Sequence, residues 1–171
     1  VRKVADLARM LFDGLRPLHQ LALEFGKLLE AAGYLYNIGH FVNEARHHRH
    51  SMYLVANSDL PGFTPEERMA IANLCRYHRK STPHLTHDSF QTLGVEHRRA
   101  VMLLTPLLRI AVALDQSQEQ KVERVEVNIS EHVELRLFSD SDIDIEQWHA
   151  QQTANLFQSI YGKALTVRIK R

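Results

Sequence analysis

The sequence predicts an α+β protein, with a mainly helical body over residues 1–120 followed by a small β-β-α-β appendage over residues 121–171. Three observations carry that reading. From Val4 to about residue 110 the apolar residues recur three and four apart, the period of an amphipathic helix. After Gln120 the period changes to two, as in half-buried strands. The bulk composition, 44% hydrophobic and 24% charged in 171 residues, is that of a globular chain long enough to bury its own core.

Each element follows from local chemistry. Val4, Leu7, Ala8 and Leu11 place an apolar stripe on a first helix. Leu18, Leu21, Ala22, Phe25, Leu28, Leu29 and Ala32 continue the spacing in a second, which Pro17 opens and Gly33 suits to end. Gly39 interrupts the pattern before a helix through Arg46 to Ala56. Thr64-Pro65-Glu66-Glu67 has the form of a capping box with proline at the first helical position, opening a helix to about His78 that Ser81-Thr82-Pro83 closes. Gly94 precedes a long helix to Leu114, which Pro106 is expected to bend or restart. Val125, Val127 and Ile129 alternate, as do Val133, Leu135 and Leu137, and the short gap between them predicts a hairpin. Asp144, with Gln147 three residues on, is placed to cap a helix to Tyr161; Gly162 suits its end, and Leu165, Val167 and Ile169 alternate as a last strand.

Composition also excludes functions. No apolar run is long enough to span a membrane. The single cysteine, Cys75, can form no internal disulfide and no thiolate zinc cage; it fits a buried small hydrophobe and a reducing, cytoplasmic setting. No P-loop, dinucleotide-binding turn or HExxH helix is present. The chain opens on Val1-Arg2-Lys3, without an initiator methionine and directly in a helical pattern, as expected of an excised fragment.

The net charge of +1 hides an asymmetry. Residues 40–109 hold nine Lys/Arg against six Asp/Glu, and eight of the eleven histidines, whereas residues 110–171 hold seven against ten. An anionic partner is therefore expected at the middle of the chain. Its densest run is Arg46-His47-His48-Arg49-His50-Ser51, and Arg76-Tyr77-His78-Arg79-Lys80 repeats the chemistry at the end of another helix. Arg46 and His50 share a helical face, rich in donors suited to phosphate oxygens. The competing reading is a pair of solvated basic faces complementing helix C-termini. A zinc site on His47 and His50 lacks nearby carboxylates, Glu44 being the exception. Asp140, Asp142, Asp144 and Glu146 lack the glycine and terminal glutamate of a calcium loop and are expected to form a solvated turn.

These runs, with Met52-Tyr53-Leu54, Leu60-Pro61-Gly62-Phe63, Leu11-Phe12-Asp13 before His19, and Leu107-Leu108-Arg109-Ile110-Ala111-Val112-Ala113-Leu114-Asp115, resemble the C-terminal helical domain of the exopolyphosphatase/guanosine pentaphosphate phosphohydrolase (Ppx/GppA) family over most of residues 4–115. The resemblance implies an HD-like fold, named for a His-Asp metal-binding doublet. Where family members often read Leu-His-Asp-Ile-Gly, this chain reads Leu35-Tyr36-Asn37-Ile38-Gly39. His19 and Asp115 would be the outer ligands of that site, but a tyrosine hydroxyl and a neutral amide stand at the inner two. These positions are therefore expected to be vestigial, with His19 and Asp115 hydrogen-bonded to Asn37, and no metal or other cofactor is expected in this chain.

The resemblance further implies that catalysis belongs to N-terminal actin-like domains, which use Mg²⁺ to release terminal phosphate from polyphosphate or pppGpp. This chain would then be inactive alone, assisting by guiding a polyanion over Arg46, His47, His48, Arg49, His50, Arg76, His78, Arg79 and Lys80, by providing a homodimer surface, or both. Its own N-terminal catalytic domains would be partners. The alternatives are a metal-dependent hydrolase acting through His19, His47, His48, His50 and Asp115, and a purely structural module.

Overall fold

A computed structural model describes residues 2–38 and 47–170, with the backbone alone at 47 and 48. The helical body contains α1 (Arg2–Gly14), α2 (Arg16–His19), α3 (Leu23–Leu35), α4 (His47–Ala56), α5 (Pro65–Tyr77), α6 (Asp88–Gln91) and α7 (Val95–Leu114). Then follow β1 (Arg124–Ile129), β2 (Val133–Phe138), α8 (Asp144–Gln151), α9 (Ala154–Tyr161) and β3 (Leu165–Lys170). The mainly helical α+β class expected from the two periodicities is the one observed.

The buried face of α1 is the stripe that the spacing picks out, Val4, Leu7, Ala8 and Leu11 with Phe12. It packs against α3 and α7. A Cβ added at Gly33 would lie 2.7 Å from Ala5 Cα. Gly33 therefore allows two helices to approach closely, and α3 runs past it to Leu35 instead of ending there. The expected single second helix is two: Gln20 adopts a left-handed conformation (φ 54°) that closes α2 before α3 begins.

The capping box forms as expected. Thr64 Oγ1 accepts from Glu67 N–H at 3.1 Å, and Thr64 N–H donates to the Glu67 carboxylate at 2.8 Å. Helix α7 is one helix through Pro106, with no restart. The carbonyl that loses its donor belongs to Met102, a residue on the exposed side of the helix.

The hairpin pairs Val127 with Leu135 in an antiparallel ladder, and β3 adds to β2 in parallel, Leu135 opposite Val167. Val133, Leu135 and Leu137 point to one buried face. The helix expected over 144–161 is broken at Gln152 and Thr153, and its N-cap is Ile143; Asp144 N–H instead donates to the Asp142 carboxylate at 3.0 Å. Gln147 and Gln151 reach from α8 to the backbone of β3, at Val167 and Leu165, and occupy polar groups along that strand. The hydrophobic core is continuous from the helical body into the sheet, through β1 against α1 and α8 against α7.

Candidate functional site

Helices α4 and α5 pack against each other, and Arg49 of the first basic run and Arg76 of the second both act on one histidine, His87. Arg46 and the side chains of His47 and His48 lie outside the described residues. Arg49 is exposed and His50 half-buried on α4. Helix α5 terminates in Arg76 and Tyr77, followed by His78, Arg79 and Lys80. Lys80 adopts a positive φ of 65°, turning the chain out of the helix. Arg109 of α7 fixes that turn: its Nε donates to Tyr77 O at 2.8 Å and its Nη2 donates to Ser81 O.

The loop after α5 then returns to the basic face. Tyr77 O–H donates to His87 Nδ1 at 2.6 Å, and the two rings stack with centroids 5.7 Å apart. His84 lies edge-on to His87 at 6.1 Å. Asn73 of α5 holds the loop by donating to Ser89 O at 3.0 Å. Desolvation, then the charges of Arg76, His84 and Arg49, holds the pKa of His87 below the usual histidine value. Neutral His87 therefore accepts from the phenol, and the guanidinium charges of Arg76 and, less strongly, Arg49 act on it. Arg76 lies over the Tyr77 ring, 5.6 Å from its centroid, and its Nε is buried with no hydrogen-bond partner among the described residues. Arg49 and Arg76, with the imidazoles of His84 and His87, thus form a cluster of basic side chains built from α4, α5 and the following loop. Sequence reading found the two arginines by charge; it missed Tyr77, His84 and His87 as its partners. Their only signal was the histidine count of the middle block.

His78, Arg79 and Lys80 face a different space, a cleft of about 900 Å³ that also exposes Tyr36, Asn37 and Asp115. Asp115 is the one carboxylate lining it among the described residues, and its Oδ1 accepts from Gln120 N–H at 3.0 Å. Burial and then the Asp115 charge raise the Tyr36 phenol above its ordinary pKa, so it stays a neutral hydroxyl. His78 donates from Nδ1 to Cys75 O at 2.6 Å and meets the Tyr36 ring edge-on.

His19 is elsewhere. Its ring is fully buried against Phe12, Nε2 donating to Phe12 O at 2.9 Å and Nδ1 accepting from Leu21 N–H at 3.0 Å. These bonds commit both nitrogens to backbone, which replaces the expected bond to Asn37. They leave no lone pair for an ion, so His19, a phenol and an amide do not fit a divalent metal. Among the described residues no three His, Cys, Asp or Glu side chains gather as a metal site would require. Cys75 is fully buried, and burial pushes its thiol pKa far up, which makes it an inert core residue.

Fold and surface together define a helical α+β domain with a concentrated cationic face and a neighbouring polar cleft. The sequence model described as Ppx/GppA phosphatase, domain III, matches residues 1–158, and the chain belongs to this family. The match continues beyond Asp115 through the hairpin and α8 into α9. Among curated relatives named guanosine-5'-triphosphate,3'-diphosphate pyrophosphatase, that of Pseudoalteromonas translucida is 33% identical over 56% of this chain and 18% of its own length. Those of Vibrio parahaemolyticus and Aeromonas hydrophila are 29% and 28% identical over 81% and 66% of this chain, and 27% and 22% of their own lengths. The chain thus spans roughly a fifth to a quarter of the relatives it matches. Among the described residues no helix is long and apolar enough to cross a membrane.

Proposed function

We propose that this domain is the accessory, non-catalytic region of a phosphoanhydride hydrolase, and that it holds a phosphate-rich anion, polyphosphate or pppGpp, while other domains of the enzyme perform the Mg²⁺-dependent release of terminal phosphate. The observation that carries this reading is the cluster of Arg49, Arg76, His84 and His87, where four groups able to bear positive charge come together. Like charges held near one another repel, and an anion between them relieves that repulsion. Guanidinium groups supply paired donors to phosphate oxygens, and a protonated imidazole supplies more. Arg79 and Lys80, around the turn in the cleft, extend the cationic surface. A flexible polyanion is suited by such a track because it needs charge along its length more than a shaped pocket.

Two properties follow. Binding weakens with added salt because condensed counterions are released, as in nucleic-acid complexes. It also strengthens as pH falls. An anion between Arg49 and Arg76 favours the imidazolium form of His87, whose pKa in the empty site lies below the ordinary 6.5, so binding takes up a proton. The test is titration of fluorescently labelled medium-chain polyphosphate into the chain and its Arg49→Glu/Arg76→Glu variant. The reading expects the variant to lose most of the affinity and its pH dependence. Unchanged binding would refute it, and binding by neither protein would leave a scaffold.

A further inference from the structure

The cleft beside the basic turn carries chemistry that a chain of phosphates does not use. Its volume, about 900 Å³, falls within the range of small-molecule sites. Leu35, Val112 and Ala113 give it an apolar wall, and Tyr34 adds an aromatic ring that is 48% exposed. Asp115 lines it as a carboxylate with only 5% of its surface exposed. Gln120 N–H donates to its Oδ1. Among the described residues no cation forms an ion pair with Asp115, and no second hydrogen bond reaches it. A carboxylate placed in this way repels phosphate and recognises a donor.

The backbone around the cleft is unusual as well. Of the four non-glycine residues with left-handed backbone among the described residues, Lys80 (φ 65°) and Gln118 (φ 58°) line the cleft. A third, Gln120 (φ 56°), supplies the N–H that fixes Asp115. Side-chain-bearing residues seldom adopt this conformation, and where they do they collect at binding sites. The loop that follows α7 is thus turned back to hold the carboxylate, while the turn after α5 brings the exposed ammonium of Lys80 to the same cleft.

A ligand for this cleft must meet three demands: an anionic end for Lys80, N–H or O–H donors for Asp115, and a flat body for Tyr34 and the aliphatic wall. Polyphosphate meets the first alone. We infer that the cleft between the ends of α3, α5 and α7 is a binding site for a nucleoside phosphate, separate from the cluster of Arg49, Arg76, His84 and His87. The base stacks on Tyr34 and donates to Asp115, and the phosphates lie toward Lys80. Asn37 and Gln118 supply amides that can both donate to and accept from the base or the ribose. Lys80 is shared with the polyanion track, but Asp115, Tyr34 and Asn37 are not, so the nucleotide site stands without that reading.

The single tryptophan of the chain, Trp148, serves as a reporter, because its ring lies 5.0 Å from that of His149, which lines the cleft. GDP, ADP and pyrophosphate are titrated separately into the whole chain, by calorimetry and by tryptophan emission. At least one nucleotide should bind one to one, change the emission, and bind about tenfold or more tightly than pyrophosphate, which lacks base and ribose. Asp115→Asn should weaken nucleotide binding by about tenfold or more, the loss of a charge-assisted hydrogen bond. Tyr34→Ala, at an exposed position, should weaken it by about fivefold or more while leaving the circular dichroism spectrum intact. The Arg49→Glu/Arg76→Glu variant should bind nucleotide as the native chain does, whatever becomes of its polyphosphate binding, so the two sites fail or stand independently. Three results would overturn the assignment: neither nucleotide binds, pyrophosphate binds as tightly as both, or nucleotide binding is lost with the arginines and kept in Asp115→Asn and Tyr34→Ala.

Discussion

Replacing His19 by alanine separates a structural histidine from a metal ligand. The buried ring makes two hydrogen bonds to backbone, so its removal strands the Phe12 carbonyl and the Leu21 amide in the core. Each stranded group costs about 1–3 kcal/mol, and together they predict a loss of roughly 2–6 kcal/mol before any cavity term. The loss should also depend on pH. Burial lowers the pKa of His19 from the ordinary 6.5, with Arg16 and Arg99 acting in the same direction and the bond to Phe12 opposing them. Between the folded and unfolded values the unfolded chain binds more protons, so stability is complete above about pH 6.5 and falls as the pH drops, by up to about 1.4 kcal/mol per unit from this one group. The alanine variant lacks that contribution, and its deficit relative to the native chain should shrink in acid. Urea unfolding of both proteins across this range measures the difference. A deficit under about 1 kcal/mol, less than even one stranded buried group should cost, or one that does not change with pH, would refute the assignment of His19 as a neutral, doubly bonded core residue.

Other substitutions test the packing. Gly33→Ala gains about 1 kcal/mol of helix propensity, but its Cβ meets backbone of Ala5 that cannot yield, at an overpacking cost of about 1–3 kcal/mol; thermal unfolding should show a net loss, and a gain would refute the close approach. Thr64→Ala should cost about 1 kcal/mol in urea midpoint analysis, with Glu67→Ala adding little more in the double variant because the two bonds form one box. Cys75 should react with a thiol reagent only as the chain unfolds, since it is buried and held protonated; rapid labelling in native buffer would contradict its position in the core.

Local signals were legible in the sequence where a residue type and its partner are close in the chain. The Thr64–Glu67 box, the alternation of Val133, Leu135 and Leu137, and the stripe on α1 all formed as their spacing predicts. Departures arose where tertiary contacts decide. Pro106 lies within an unbroken α7, where the residue one turn before it, Met102, is on the exposed side of the helix. Gly33, which looks like a helix end, is a contact point with Ala5 on another helix. The parallel addition of β3 to β2 depends on a crossover that no local pattern reveals. The site divides in the same way. Charge alone marked Arg49 and Arg76, but His84 and His87 sit in a loop without periodicity, and the four associate only through the α4–α5 pairing and the return of that loop onto Tyr77 and Asn73. Tyr36 and Asn37 were identified as replacements in a metal-site motif, yet the reason His19 cannot complete such a site, its two backbone bonds, is three-dimensional.

The central claim is that this domain binds a phosphate chain without cleaving it. Equilibrium binding of medium-length polyphosphate, at low and high salt, with inorganic phosphate followed in the same tubes in the presence of Mg²⁺ or Mn²⁺, tests both halves at once. Binding should fall steeply with salt, with no phosphate released. Metal-dependent release would contradict it, showing that the positions of Tyr36, Asn37 and Asp115 still support hydrolysis; salt-insensitive binding, or none, would contradict the role given to the cationic face.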